Sequence, residues 1–314
     1  MRRRDFTRIA GLGAVSLASR FSFAETFDYP WKLGIITDEV DPDLHRTLSS
    51  FFPKYGLKWA EIRNVKIGGK SEYVYKSATP AQLRQIKAQL DGAGVHVSVL
   101  DTAVYKDTLP GTTPLEVGPE ELNAAQSDYD QQLDDLKRAA DAAIILGTNK
   151  VRIFTFRRVA NPDTVFPRII EELYKALGVA KEKNIKLLVE NEFSCNTATG
   201  TESGALLHAI SDERLQLNWD PGNCFVAGEQ PFPKAWNAFD HSRIGHIHLK
   251  DAVSKTWKPV GDGEIDFIGQ FKALKEMNYS ETMSLETHYR NAQHNLFESS
   301  VESMNGLVKV LKEV

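Results

Sequence analysis

Arg243-Ile244-Gly245-His246-Ile247-His248-Leu249-Lys250-Asp251 is the stretch whose reading decides the fold. It alternates with a period of two, the period of an extended strand. His246, His248 and Lys250 therefore share one face, and Ile247 and Leu249 share the other. Core strands rarely turn imidazoles and an ammonium inward, so this face needs polar partners from its neighbours. Working outward, residues 215–220 alternate Leu215, Leu217 and Trp219 against Gln216, Asn218 and Asp220. Residues 185–190 are apolar except for Lys186 until Glu190 ends them, and residues 281–286 end on Glu286.

Strand-like runs also fall at residues 32–37, 58–63, 95–100 and 151–154. Between the runs the spacing predicts helices at 41–55, 80–92, 122–146, 161–183, 201–211, 266–277 and 294–312, with a weak one in the 230s. Thr79-Pro80 and Asn161-Pro162 supply start signals, and Gly56 and Gly147 supply stops. Strict alternation of strand and helix implies parallel strands joined by helical crossovers, and eight repeats favour a single closed (β/α)8 barrel over an open sheet. No glycine-rich dinucleotide fingerprint follows the first strand. Residues 102–122 break the rhythm and are read as a lid over the site.

The first residues differ in character. Arg2-Arg3-Arg4-Asp5-Phe6, a short run of small residues over 9–18 and Ser22-Phe23-Ala24 read as a twin-arginine export signal spanning residues 1–24, with 25–314 as the barrel domain. An amphipathic N-terminal helix is the other reading. The apolar run is too short to span a bilayer, so no stable membrane insertion is expected. The expected partner is the twin-arginine export machinery and the expected location periplasmic or secreted. Removing residues 1–24 takes away five Arg and one Asp, leaving 33 basic and 41 acidic residues and a net charge of −8. That balance argues against a nucleic-acid groove. Cys195 and Cys224 offer no disulfide framework: they are two free buried thiols, or a pair formed after export. The oligomeric state is left open, a homo-oligomer included.

In a (β/α)8 barrel the C-terminal ends of the strands form the active face. Glu190, Asp220, His248 and Glu286 end strands five to eight and can converge on one point. Three carboxylates placed together are costly without a cation. With one imidazole they form a hard, oxygen-rich set suited to a divalent metal ion, Mn²⁺ first, with Mg²⁺, Co²⁺ or Zn²⁺ also accommodated.

Val189-Glu190-Asn191, Trp219-Asp220-Pro221-Gly222-Asn223, His246-Ile247-His248-Leu249-Lys250-Asp251, Gly261-Asp262-Gly263-Glu264-Ile265-Asp266 and Ser284-Leu285-Glu286-Thr287-His288 together resemble the signature segments of the xylose isomerase-like TIM-barrel superfamily, its sugar phosphate isomerase/epimerase group included. The resemblance implies that Glu190, Asp220, His248 and Glu286 hold the metal and that Glu190 and Glu286 exchange the substrate proton. Ketose epimerases of that superfamily carry a second His three residues after the Asp, where this chain has Asn223. They carry an Arg six residues after the metal His, where this chain has Ser254. The fit is accordingly to the broader isomerase/epimerase group.

Such a site acidifies the C–H beside a chelated carbonyl, and paired carboxylates then move the proton. Return to the opposite face epimerises, return to the adjacent carbon isomerises, and loss of a β-hydroxyl dehydrates. The expectation is a metal-dependent sugar isomerase or epimerase. A lyase that dehydrates a keto-polyol or opens an oxidised glycoside is the alternative, and a non-enzymatic carbohydrate-binding protein is the alternative from another class. Export favours a non-phosphorylated sugar or keto-sugar. Lys250, Arg157, His288 and Asn223 are read as substrate contacts, and Tyr105 and Trp257 as apolar walls for a sugar ring. His246 is either a support for the ligands or barrel filling. Glu61 and Arg152, on alternate strands, are expected to face each other as a buried pair.

Overall fold

A computed structural model of the chain describes residues 29–115 and 129–314. The export reading of residues 1–24 lies outside them. Among the described residues twelve strands are formed: β1 Lys32–Ile36, β2 Trp59–Ile62, β3 Asn64–Ile67, β4 Lys70–Tyr73, β5 His96–Leu100, β6 Lys150–Ile153, β7 Lys186–Glu190, β8 Leu215–Trp219, β9 Ile244–Leu249, β10 Asp251–Val253, β11 Thr256–Lys258 and β12 Thr282–Leu285. Eight of them close a barrel in the order β1-β12-β9-β8-β7-β6-β5-β2, and these eight are the predicted runs. The pairings within it are parallel.

The physical reason is visible in single elements. Leu187, Leu188 and Val189 of β7 are all fully buried, as expected of a parallel strand covered on both faces. Helix Phe166–Lys183 buries Ile169, Leu173, Ala176, Leu177 and Ala180, one stripe at helical spacing turned to the barrel. Each buried Leu or Ile in such a stripe is worth about 1.5–3 kcal/mol. Helix Pro80–Gly92 starts at a Thr79–Gln82 capping box, and Gly147 ends helix Gln132–Leu146 with φ 89°. Gly34 permits the β1–β2 approach, because a Cβ there would stand 2.5 Å from the Trp59 carbonyl oxygen.

Several elements depart from expectation. The helix expected over 41–55 is capped by Asp43 rather than Asp41 and passes through a π turn at Thr47–Phe51. The fourth helix begins as a 3-10 turn at Pro162–Thr164 before Phe166. The described part of the predicted lid is packed core. Thr102, Ala103, Val104, Tyr105 and Leu109 are buried, and Val104 and Tyr105 accept backbone hydrogen bonds from Phe154 and Phe156 at 3.0 and 2.6 Å. The rest of the predicted lid and the predicted start of the long helix, residues 116–128, lie outside the described residues. Cys195 and Cys224 are both buried and are not joined in a disulfide. Among the described residues no helix is long and apolar enough to cross a membrane.

Two antiparallel hairpins that periodicity did not reveal, β3–β4 and β10–β11, rise beyond the C-terminal ends of β2 and β9. The second is tied down by Asp251. Its carboxylate accepts from the backbone N–H groups of Ala252, Gly261, Gly263 and Ile265 at 2.9, 2.9, 3.1 and 3.3 Å. Asp251→Ala removes a shared acceptor from four donors. It is expected to cost about 1–3 kcal/mol, seen as a lower urea midpoint, with faster amide exchange confined to residues 251–265. Unchanged exchange there would show that the loop is held by other contacts.

Candidate active site

The closing order of the barrel sets β7, β8, β9 and β12 side by side. Glu190 is the last residue of β7, and Asp220 and Glu286 directly follow β8 and β12. Together with His248 of β9, their ligand atoms all lie within 4.8 Å of one another, and all four side chains are buried. The expected convergence is therefore present. His248 Nδ1 stands 3.3 Å from Glu190 Oε1, 3.3 Å from Glu286 Oε2 and 3.6 Å from Asp220 Oδ2.

The other ring nitrogen explains this orientation. His248 Nε2 lies 2.9 Å from Glu61 Oε1, and His246 Nε2 lies 2.9 Å from Glu61 Oε2. Burial opposes ionisation of Glu61, but His248 and His246 outweigh it and hold the carboxyl well below its usual range. An ionised carboxylate only accepts, so Nε2 of His248 donates to Glu61 and Nδ1 is the atom turned to the other carboxylates; burial opposes the charged imidazole, but Glu61, Glu190 and Glu286 outweigh it and hold His248 well above its usual range. This is the carboxylate–histidine arrangement that orients metal-binding imidazoles. His246 shares the Glu61 carboxylate with His248, and its Nδ1 lies 2.7 Å from the Thr282 hydroxyl.

The expected Glu61–Arg152 pair does not form. Both face the barrel interior, but Glu61 is taken by the two histidines and Arg152 by the opposite wall. Arg152 Nη1 lies 2.9 Å from Glu190 Oε2 and 3.4 Å from Asp101 Oδ2, and Nη2 donates to the Thr102 carbonyl at 3.1 Å. Burial would raise the Glu190 carboxyl, but Arg152 and His248 pull it down to about 2. Glu286 is likewise held well below the usual range, burial being overcome by Lys250, His288 and His248.

Asp101 behaves oppositely. It is fully buried, and burial together with the neighbouring Glu61 carboxylate, which its protonated form can hydrogen-bond, pushes it well above the carboxylate range against the pull of Arg152. The folded protein thus keeps a proton that the unfolded chain releases near pH 4. Stability falls as pH rises through the window between these two values. Asn at this position has no proton to lose. The gain in Tm of Asp101→Asn over the parent is expected to widen from pH 4 to pH 8. A difference that stays constant would mean the carboxyl is ionised in the fold.

The remaining predicted contacts divide. Asn223 Nδ2 donates to Glu190 Oε1 and Glu192 Oε2 at 3.0 and 3.2 Å, and His288 Nε2 lies 3.1 Å from Glu286 Oε1. Lys250 Nζ lies 2.8 Å from Asp220 Oδ2 and 2.6 Å from Glu286 Oε2. Trp257, on β11, stands at the mouth with its ring centroid 5.2 Å from Lys250 Nζ and 5.1 Å from the His288 ring. Tyr105 is no wall. It is buried with φ 62°, packs on Phe156 at 4.7 Å between ring centroids and donates its hydroxyl to the Glu172 carbonyl. Arg157 is buried beside Cys195 and is not among the described residues lining the cavity.

That cavity, of about 670 Å³, opens above Glu286 and is lined by Arg63, Tyr73, Lys106, Phe154, Glu192 and His288, among others. Arg63, Glu39 and Glu192 were missed from sequence. Arg63 binds Glu39 Oε1 at 2.6 Å, Asp38 Oδ2 at 3.0 Å and Glu286 Oε1 at 3.4 Å. Its guanidinium already neutralises the neighbouring Glu39–Glu286–His288 group, which is close enough to hold an ion. These residues sit just beyond strand ends, so the positional rule that selected Glu190 and Glu286 would have found them.

Comparison with known proteins agrees with this architecture. Residues 54–307 match the xylose isomerase-like TIM barrel family. An inosose dehydratase from Clostridium perfringens (strain 13 / Type A) is 26% identical over 178 residues, which are 51% of this chain and 59% of that protein. The chain thus spans little more than half the length of this curated relative. An IOLI protein solved with a bound zinc atom superposes with a TM-score of 0.68 at 14% identity, covering 90% of this chain and 98% of that one. An L-ribulose 3-epimerase does so with a TM-score of 0.65 at 16% identity, covering 89% and 94%. The chain belongs to the xylose isomerase-like TIM barrel family.

Proposed function

We propose that this protein is a divalent-metal-dependent enzyme that removes the proton beside a carbonyl of a keto-sugar or keto-polyol. The observation that carries the proposal is the convergence of Glu190, Asp220, His248 and Glu286, with Nδ1 of His248 turned toward the three carboxylates. The residues fit a metal ion. All four side chains are buried, and three carboxylates with one imidazole favour a hard cation such as Mn²⁺. The zinc in a fold neighbour supports a divalent ion of some kind. An ion held there would polarise the substrate carbonyl and acidify the adjacent C–H.

The chain's own groups then divide the work. Glu190 and Glu286, both held ionised, are the proton acceptors, one on each side of His248. Arg152 fixes Glu190, and Asn223 bridges Glu190 and Glu192. His288 and Lys250, both against Glu286, are the N–H donors placed for a substrate oxygen. Trp257 and Phe154 offer apolar surface at the mouth.

Two outcomes share this first step. The inosose dehydratase relatives support loss of a β-hydroxyl, which makes dehydration the first outcome to test. The paired carboxylates support proton return, hence isomerisation or epimerisation, as the second. As part of the same proposal, export through residues 1–24 would present the enzyme with a free, non-phosphorylated carbohydrate.

The test is an NMR screen of inososes, keto-sugars and oxidised glycosides in D₂O with added Mn²⁺. An unsaturated ketone identifies dehydration, and deuterium in recovered or isomeric sugar identifies proton return. EDTA treatment is expected to remove either signal by at least 100-fold and added Mn²⁺ to restore it. Activity that survives exhaustive chelation would sink the metal-dependent reading.

A further inference from the structure

We infer that Lys250 is a displaceable internal counter-cation: its ammonium holds Asp220 and Glu286 together when no divalent ion is bound, and metal binding drives it out toward Trp257 and the cavity. This rests on the metal site proposed above and adds how that site is guarded.

The geometry is specific. Lys250 Nζ lies 2.6 Å from Glu286 Oε2 and 2.8 Å from Asp220 Oδ2, the same two oxygens that face His248 Nδ1. The residue is only 2% exposed, so this is a lodged side chain and not a surface lysine at rest. Room for it is made by Gly222, where a Cβ would stand 2.5 Å from Lys250 Cγ and 2.9 Å from its carbonyl oxygen. Gly222 follows Asp220 by two residues, so ligand and cradle come from one turn.

Charge explains why the arrangement is stable yet temporary. Glu190, Asp220 and Glu286 repel one another when bare, and one ammonium relieves part of that repulsion. A divalent ion relieves more. An ion held by Asp220 and Glu286 would compete with the ammonium for the same charge, and the two cations would repel. A flexible four-carbon stem lets the ammonium leave without moving the backbone. Its way out is prepared, because the Trp257 ring stands 5.2 Å from Nζ and an aromatic face is a favourable resting place for a cation. Trp257 also contacts His288, which lines the cavity. The departing ammonium is thereby delivered to the substrate side only after the metal is in place.

The test is isothermal titration of the full chain with Mn²⁺, comparing the parent with Lys250→Met, which keeps the stem and removes the charge. The variant is expected to bind Mn²⁺ at least tenfold more tightly. In parallel, amine-reactive labelling of the parent, mapped by peptide mass spectrometry, is expected to rise several-fold at Lys250 when Mg²⁺ or Zn²⁺ is added. This second measurement decides the question if the variant does not fold. Equal or weaker Mn²⁺ affinity in Lys250→Met, or Lys250 equally protected at saturating metal, overturns the displacement while leaving the metal site standing. No ion uptake by either protein overturns the displacement and the metal-dependent reading together.

Discussion

Glu286→Gln is expected to lower turnover by about 10²–10⁴-fold, the range lost when a positioned proton-transfer group is removed. Glu286 is the most heavily engaged carboxylate of the cluster. Its Oε2 meets Lys250 at 2.6 Å and His248 Nδ1 at 3.3 Å, and its Oε1 meets His288 at 3.1 Å and Arg63 at 3.4 Å. Gln keeps the shape but places a neutral amide among four nitrogen-bearing partners and cannot take a proton. The loss should fall in kcat, with deuterium exchange into substrate lost in parallel. Glu190→Gln should match it in kind. If Glu286→Gln keeps kcat within threefold while metal remains bound, the proton-transfer role belongs to another group.

Arg152→Met carries the largest expected stability effect, about 3–5 kcal/mol, because it breaks a buried pair and leaves its partner charged. Glu190 is ionised in the fold largely because Arg152 lies beside it, burial alone pushing the other way. Losing the guanidinium also frees the Thr102 carbonyl acceptor and the stacking of Arg152 over Phe154 at 4.7 Å. Arg152→Lys should fall between the two, since an ammonium keeps the charge but not the planar fork. Urea denaturation checks both. A loss under about 1 kcal/mol for the Met variant would mean that Glu190 takes up a proton at little cost. This result depends on packing and charge alone, so it stands or falls apart from any assignment of the reaction.

These expectations come from different depths of legibility. The eight barrel strands could be read because parallel strands and their crossover helices each bury an apolar face with its own period, and period is a property of the chain alone. The strand-end positions of Glu190, Asp220, His248 and Glu286 followed once the strands were placed, since the barrel turns those ends to one face. The hairpins β3–β4 and β10–β11 were not legible. Each strand is only three or four residues long and one is mostly exposed, so neither leaves a pattern.

The chain by itself determined the barrel, the family it belongs to and which four side chains meet at its mouth. Only the tertiary structure decided who partners whom among the buried charges. Glu61 and Arg152 were both read as inward-facing, yet each is claimed by a different wall, because β2 reaches the histidines of β9 across the interior while β6 reaches Glu190 on the adjacent β7. Tyr105 was read as a wall and is core, because φ 62° turns the chain there and seats the ring against Phe156. Period and position follow from bonds along the chain. The pairing of charges depends on distances across the barrel, and it is these distances that place the Lys250 ammonium against Asp220 and Glu286.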